Sequence, residues 1–192
     1  MKNYLIKCLF VFLIFNLSIR AVFAFEEDHE AHEHGHATLM LVQENDELQL
    51  LFKSPAMNIT GFEHQASSPE QLAKIEWAKT SLSDASHLFL FNQRAECVLE
   101  HLSVTSSLLK VKDHSDAHGS HAEGEHSKED KDSHNEFEVE YHFECKNIRE
   151  LKELSVALFD VFTSLEEIEV QVINDAGQTL RALDRHNPSI KL

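Results

Sequence analysis

Basic residues are scarce in this chain. Only 17 Lys+Arg stand against 33 Asp+Glu in 192 residues, a formal net charge of −16. So acidic a surface repels nucleic acid and anionic membranes and attracts cations. Cysteine is nearly absent, with three in the whole chain. A long apolar run occurs only at the N-terminus, so no second segment is fit to span a membrane. One catalytic signature is missing as well: there is no Gly-x-Ser-x-Gly. His29-Glu30-Ala31-His32 lacks the His-Glu-x-x-His spacing; His32-Glu33-His34-Gly35-His36 has it, but in a stretch interrupted by Gly35 that leads straight into an apolar strand, not on the helix that motif requires.

The single apolar run reads as a secretory leader. Lys2 and Lys7 supply a positive start, Cys8 to Leu17 is almost wholly apolar, and Val22-Phe23-Ala24 places small residues at a cleavage site. Residues 1–24 are therefore expected to be a signal peptide, and residues 25–192 one domain of sufficient length for a real core. Loss of the leader removes Lys2, Lys7 and Arg20 and no acid, leaving 14 Lys+Arg against 33 Asp+Glu, a net of −19. The two cysteines that remain are Cys97 and Cys145. In an exported protein an even pair points to a disulfide, with two zinc thiolates as the alternative.

What the chain has in quantity is histidine. His29, His32, His34 and His36 fall within eight residues and run straight into Ala37-Thr38-Leu39-Met40-Leu41-Val42. Neutral imidazole is the commonest protein ligand for transition metals. If residues 32–36 are extended, His32, His34 and His36 face one way, because strand side chains repeat every two residues. A solvated tail is the plain alternative. A second histidine-rich segment spans residues 113–134. It holds His114, His118, His121, His126 and His134 with seven acids, two lysines and otherwise only Ser, Ala and Gly. With nothing to enter a core it should be a disordered loop, suited to collecting metal weakly at several points.

Between these segments the patterning is that of strands. Leu39 to Gln43 and Glu47 to Lys53 flank Glu44-Asn45-Asp46, a hairpin signal. Residues 54–64 contain Pro and Gly and show no period, so they read as a structured loop. Ser68-Pro69-Glu70-Gln71 is a helix start, with Ser as N-cap and Gln completing a capping box. Leu72, Ile75, Ala78 and Leu82 then mark one helical face. Strands are expected over His87 to Asn92 and over Ala95 to Leu109, the second burying Val98, Leu102, Val104 and Leu108. Glu136 to Cys145 is the clearest strand, with Phe137, Val139, Tyr141, Phe143 and Cys145 alternating against acids and His142. Pairing it antiparallel with the strand before the loop brings Cys97 and Cys145 to the far end, which suits a bridge. A helical turn is expected at Asn147 to Leu151, a strand at Leu154 to Phe159 and a short turn or helix at Asp160 to Leu165. Glu167 to Ile173 and Gln178 to Leu183 are the closing strands. The fold class is α+β, an antiparallel β-sheet domain with one main helix.

The chain resembles the ZrgA family of periplasmic, zinc-regulated proteins. The matching stretches are His32-Glu33-His34-Gly35, Ser54-Pro55-Ala56-Met57-Asn58, Gly61-Phe62-Glu63-His64, Leu158-Phe159-Asp160-Val161-Phe162 and Gly177-Gln178-Thr179. The acidic, His-rich insertion and its flanking cysteines match as well. The resemblance implies a periplasmic protein that serves zinc acquisition beside an uptake transporter or its binding protein. Two positions depart from the family pattern: His36 stands where a small residue is usual, and Thr163 where Pro is common.

With that resemblance, His32, His34, His64 and Asp160 form a candidate His₃Asp set for Zn²⁺, and His36 is a further ligand candidate. His64 follows the hairpin and can fold back beside it. Asp160 ends an apolar stretch, where a lone carboxylate is costly unless paired or ligating. The plain alternatives are a hydrogen-bonded loop histidine for His64 and a helix N-cap for Asp160. Glu63 is a candidate partner that holds an imidazole in place. Binding needs neutral imidazoles, so affinity should fall as pH drops through about 6.5. The competing functions are a zinc-dependent hydrolase, a nickel- or copper-binding resistance protein, and an envelope protein with an incidental His tail. A non-enzymatic zinc-binding protein that captures, buffers or delivers metal is the expectation.

Overall fold

A computed structural model describes residues 33–109 and 135–192. The fold is α+β, with nine strands in two sheets and one helix longer than a few turns among the described residues. The large sheet has six strands. In chain order they are β1 (His36–Glu44), β2 (Glu47–Pro55), β4 (Cys97–Thr105), β5 (Glu136–Cys145), β7 (Glu167–Asn174) and β8 (Gly177–Asp184), and across the sheet they run β4-β5-β2-β1-β7-β8. The small sheet is β3 (Phe89–Phe91), β6 (Glu153–Val156) and β9 (Ser189–Lys191), with β6 in the middle. The helices are α1 (Ala56–Thr60), α2 (Pro69–Ser83), α3 (Ala85–Leu88) and α4 (Leu158–Val161).

The hairpin forms as its turn chemistry requires. Asn45 takes φ 55°, a left-handed value that Asn tolerates, and β1 pairs with β2 from Thr38↔Lys53 to Glu44↔Glu47. Alternation then decides the faces. Ala37, Leu39 and Leu41, Leu48, Leu50 and Phe52, and Phe137, Val139, Tyr141 and Phe143 are all buried on one side. The other side carries His36, Thr38, Met40, Gln49, Leu51 and His142, half-buried or exposed. A mainly antiparallel sheet with one solvated face has this pattern. One pair departs: β1 and β7 run parallel, from His36↔Glu167 to Val42↔Ile173.

The core lies against the inner face. The Tyr141 hydroxyl donates to the Leu82 carbonyl at 2.7 Å, and burial pushes that hydroxyl up from its ordinary pKa. Phe89 and Phe91 set their rings edge-on to Tyr141 and Phe143, joining the small sheet to the large one. α2 is capped by Ser68, whose hydroxyl accepts the Gln71 N–H, and Pro69 stands at its first position. Gln71 returns its side-chain bond to the N–H of Ser67, one residue before the cap.

Several expectations need correction. Residues 56–60 form α1, closed by Gly61 at φ 80°, where a loop was expected. Leu72 is 55 % exposed and not on the buried face, which Ile75, Ala78 and Leu82 supply. The stretch His87 to Asn92 begins as α3 and becomes β3 only at Phe89. Val98 is 55 % exposed, because the register shifts between Leu99 and His101 and moves the alternation onto Leu99, Leu102 and Val104. The strand expected to reach Phe159 stops at Val156, and Leu158 and Phe159 belong to α4. β8 is followed by β9.

Cys97 and Cys145 are disulfide-bonded across β4 and β5, directly opposite one another. Residues 1–24, expected to be a signal peptide, and residues 113–134, expected to be a disordered loop, lie outside the described residues.

Candidate metal centre

The residues just before β1 are pinned from two sides. His36 N–H bonds back to the Glu33 carbonyl at 3.2 Å, closing a β-turn with Gly35 in third place at φ 89°. That left-handed value is one glycine adopts freely. From one side the buried Asn58 of α1 accepts the Gly35 N–H at 2.7 Å and donates to the His36 carbonyl at 2.8 Å. Ser54 holds the Asn58 amide in turn, accepting at 3.1 Å. From the other side the N–H groups of Glu166 and Glu167 both donate to the Gly35 carbonyl, at 2.8 and 3.0 Å. The Ser54-Pro55-Ala56-Met57-Asn58 stretch thus works as a bracket for the histidine turn.

Because of this turn, the expected one-sided display of His34 and His36 does not form. The chain is not extended at Gly35, and the two rings meet different acids. His34 Nε2 lies 3.3 Å from Glu63 Oε1, the imidazole 56 % exposed and the carboxylate 18 %. His36 Nδ1 lies 3.6 Å from Glu167 Oε1, and its Nε2 lies 4.0 Å from Glu33. The 3.3 Å separation is long for a charge-assisted hydrogen bond. It equals the edge of a tetrahedron with zinc–ligand bonds of about 2.0–2.1 Å. A nitrogen and an oxygen so placed suit a borderline divalent metal.

The loop that carries Glu63 is itself anchored. Its carbonyl accepts from the Asn135 side chain, Asn135 bonds Ser107, and Gln65 donates to the Ser107 carbonyl at 3.3 Å. Ser107 and Asn135 flank the His-rich insertion on either side. Its two roots are therefore fastened at the Glu63 loop.

The other candidates are placed as follows. His64 Nε2 is 2.9 Å from the Gln71 amide nitrogen, and its ring packs on Phe62 at 5.2 Å. This is the hydrogen-bonded loop histidine that was the plain alternative. Asp160 lies in the first turn of α4, 81 % exposed, with its carboxylate 3.7 Å from Arg185. The cap position of that helix is Ala157. His32, with His114, His118, His121, His126 and His134, lies outside the described residues. Among the described residues no three His, Cys, Asp or Glu side chains gather at one point. The structure therefore joins His34 to Glu63 and does not gather His34, His64 and Asp160. Asn58 is the residue that pattern reading missed, although it stands inside the Ser-Pro-Ala-Met-Asn stretch.

Fold and turn together describe a small α+β domain that presents imidazole and carboxylate donors of the kind zinc takes, on an acidic surface. Comparison with curated proteins finds no match. The model of the ZrgA family of zinc uptake proteins matches residues 31–192, and the chain belongs to that family.

Proposed function

We propose that this chain is a non-enzymatic zinc-binding protein of the periplasm that captures or buffers Zn²⁺ and passes it to an uptake transporter or its binding protein. The observation that carries the reading is the His34–Glu63 pair, set 3.3 Å apart at a turn that Asn58 holds. Two donors are fixed before metal arrives, so little ordering is needed at binding. His32 and His64 complete the set in this proposal: His32 is two residues from His34, and His64 follows Glu63. His64 must give up Gln71 to ligate. Asp160 joins only by leaving Arg185, and His36 remains an auxiliary ligand beside Glu167. In this proposal the His-rich insertion between Ser107 and Asn135 supplies further, weaker imidazole ligands that collect metal for the tight site.

A site of imidazole and carboxylate binds less tightly than four thiolates, which suits a metal that must be released. The leader pattern and the Cys97–Cys145 bridge both support an oxidising, extracytoplasmic compartment. The fitting test is calorimetric zinc titration of the mature chain beside its His34→Ala and Glu63→Ala variants. Loss of the tightest event in both supports the reading, and unchanged affinity overturns it. Competition with nickel and copper on the same protein decides the metal.

A further inference from the structure

The outward face of the large sheet carries a second pair of imidazoles, far from the turn just described. His142 of β5 sits directly opposite His101 of β4. Directly opposed antiparallel residues share a face, with Cβ atoms about 4.5–5.5 Å apart. The register shift between Leu99 and His101 creates this pairing. Leu99 faces Phe143 on the buried side, one residue is passed over, and His101 then meets His142 on the outer side. Bulges of this kind redirect a side chain, and they concentrate next to functional sites.

Two more observations point to a ligand here. A shallow depression of about 280 Å³ is lined by both rings together with Glu140, Met40, Val42 and Leu51. Glu47 Oε2, on the neighbouring β2, lies 3.4 Å from His142 Nε2. That is again the nitrogen–oxygen edge of a tetrahedral zinc site with bonds near 2.0–2.1 Å.

We propose that His101 and His142 form a chelating site for a divalent transition-metal cation of the zinc type, with Glu47 as the adjoining carboxylate and water in the remaining positions. The rings are not already closed with the carboxylate on one point, so a staggered-well change at the exposed His101 brings it in. A site with so few protein ligands exchanges its metal readily. It lies six residues along β1 from His36, roughly 20 Å at about 3.3 Å per residue. The site rests on no part of the reading given for His34 and Glu63.

The test follows the histidine ring resonances of the mature chain by nitrogen-15 NMR during titration with zinc chloride. The rings of His101 and His142 are expected to move together along one saturation curve. That curve should be unchanged in His34→Ala. His101→Ala is expected to weaken the His142 response roughly 100-fold, since the second imidazole of a chelate binds intramolecularly. His142→Ala, read at His101, gives the reciprocal loss. Rings that stay unmoved at millimolar zinc overturn the site. So does a His142 response that survives His101→Ala, or one that disappears with His34→Ala.

Discussion

The side-chain oxygen of Asn58 accepts the backbone N–H of Gly35 at 2.7 Å, across 23 positions of sequence. With the same amide donating to the His36 carbonyl, one buried residue fixes the path of the chain on both sides of the turn that presents His34. Replacing it by Ala leaves a backbone donor and an acceptor unsatisfied. Asn58→Ala is expected to cost about 1–3 kcal/mol in thermal or urea unfolding and to weaken zinc binding as well. Asn58→Asp keeps the acceptor for Gly35 and should lose less stability than Ala. Equal stability of Asn58→Ala and the parent chain would remove the bracket from the account.

Gly35 and Gly61 make a matched comparison. Both hold left-handed backbone, at φ 89° and 80°. A Cβ on Gly35 would meet the Glu166 side chain at 3.2 Å, whereas one on Gly61 meets nothing within 4 Å. Each Ala substitution should cost about 1–2 kcal/mol for the backbone alone, with more at Gly35. Only Gly35→Ala should also weaken zinc binding, because only there does the histidine turn move. Parallel titrations of the two variants distinguish the sites, and an equal effect on zinc would contradict the assignment.

Much of this architecture is legible in the residues. Ten positions of strict alternation define β5 end to end, and Ser68 with Pro69 starts α2 where expected. The short apolar stretches blur because four residues cannot distinguish a helical turn from a strand, as α3 and α4 demonstrate. The exposure of Val98 depends on a bulge, which leaves no trace in periodicity. The parallel pairing of β1 with β7 joins segments over 120 residues apart and has no local signal. At the candidate site, Glu63 is readable as an imidazole partner, but the divergence of His34 and His36 is not. It follows from the backbone angle at Gly35 and from acids on β7 and the Glu63 loop. The Asp160–Arg185 and His64–Gln71 pairs are likewise set by folding.

Asp184 gives the protein a testable acid dependence. Its carboxylate accepts the N–H groups of Asn187 and His186 at 2.8 and 2.7 Å, which holds its pKa below the ordinary carboxylate value. A depressed carboxylate stabilises the fold above its unfolded-state pKa, near 3.9, and the contribution is lost as pH falls through the folded value. Asp184→Asn should therefore lower the melting temperature at pH 7, with the difference vanishing in strong acid. A difference that stays constant from pH 7 to pH 2 contradicts the assignment.

The Cys97–Cys145 bridge closes a sequence separation of 48 that contains the whole insertion. In the chain-entropy account a loop of that size stabilises by roughly 4 kcal/mol. Cys97→Ala with Cys145→Ala should shift the urea midpoint down accordingly and leave zinc affinity at His34 unchanged in dilute buffer. An unaltered midpoint would show that the staple adds nothing.

The central claim is that His34 and Glu63 hold zinc together. Its most direct test is zinc X-ray absorption on the mature chain loaded with one equivalent of metal, beside the Glu63→Gln and His34→Ala variants. The account predicts a shell of nitrogen and oxygen at about 2.0–2.1 Å, with loss of one imidazole in His34→Ala and a changed shell in Glu63→Gln. A zinc shell identical in all three proteins contradicts it.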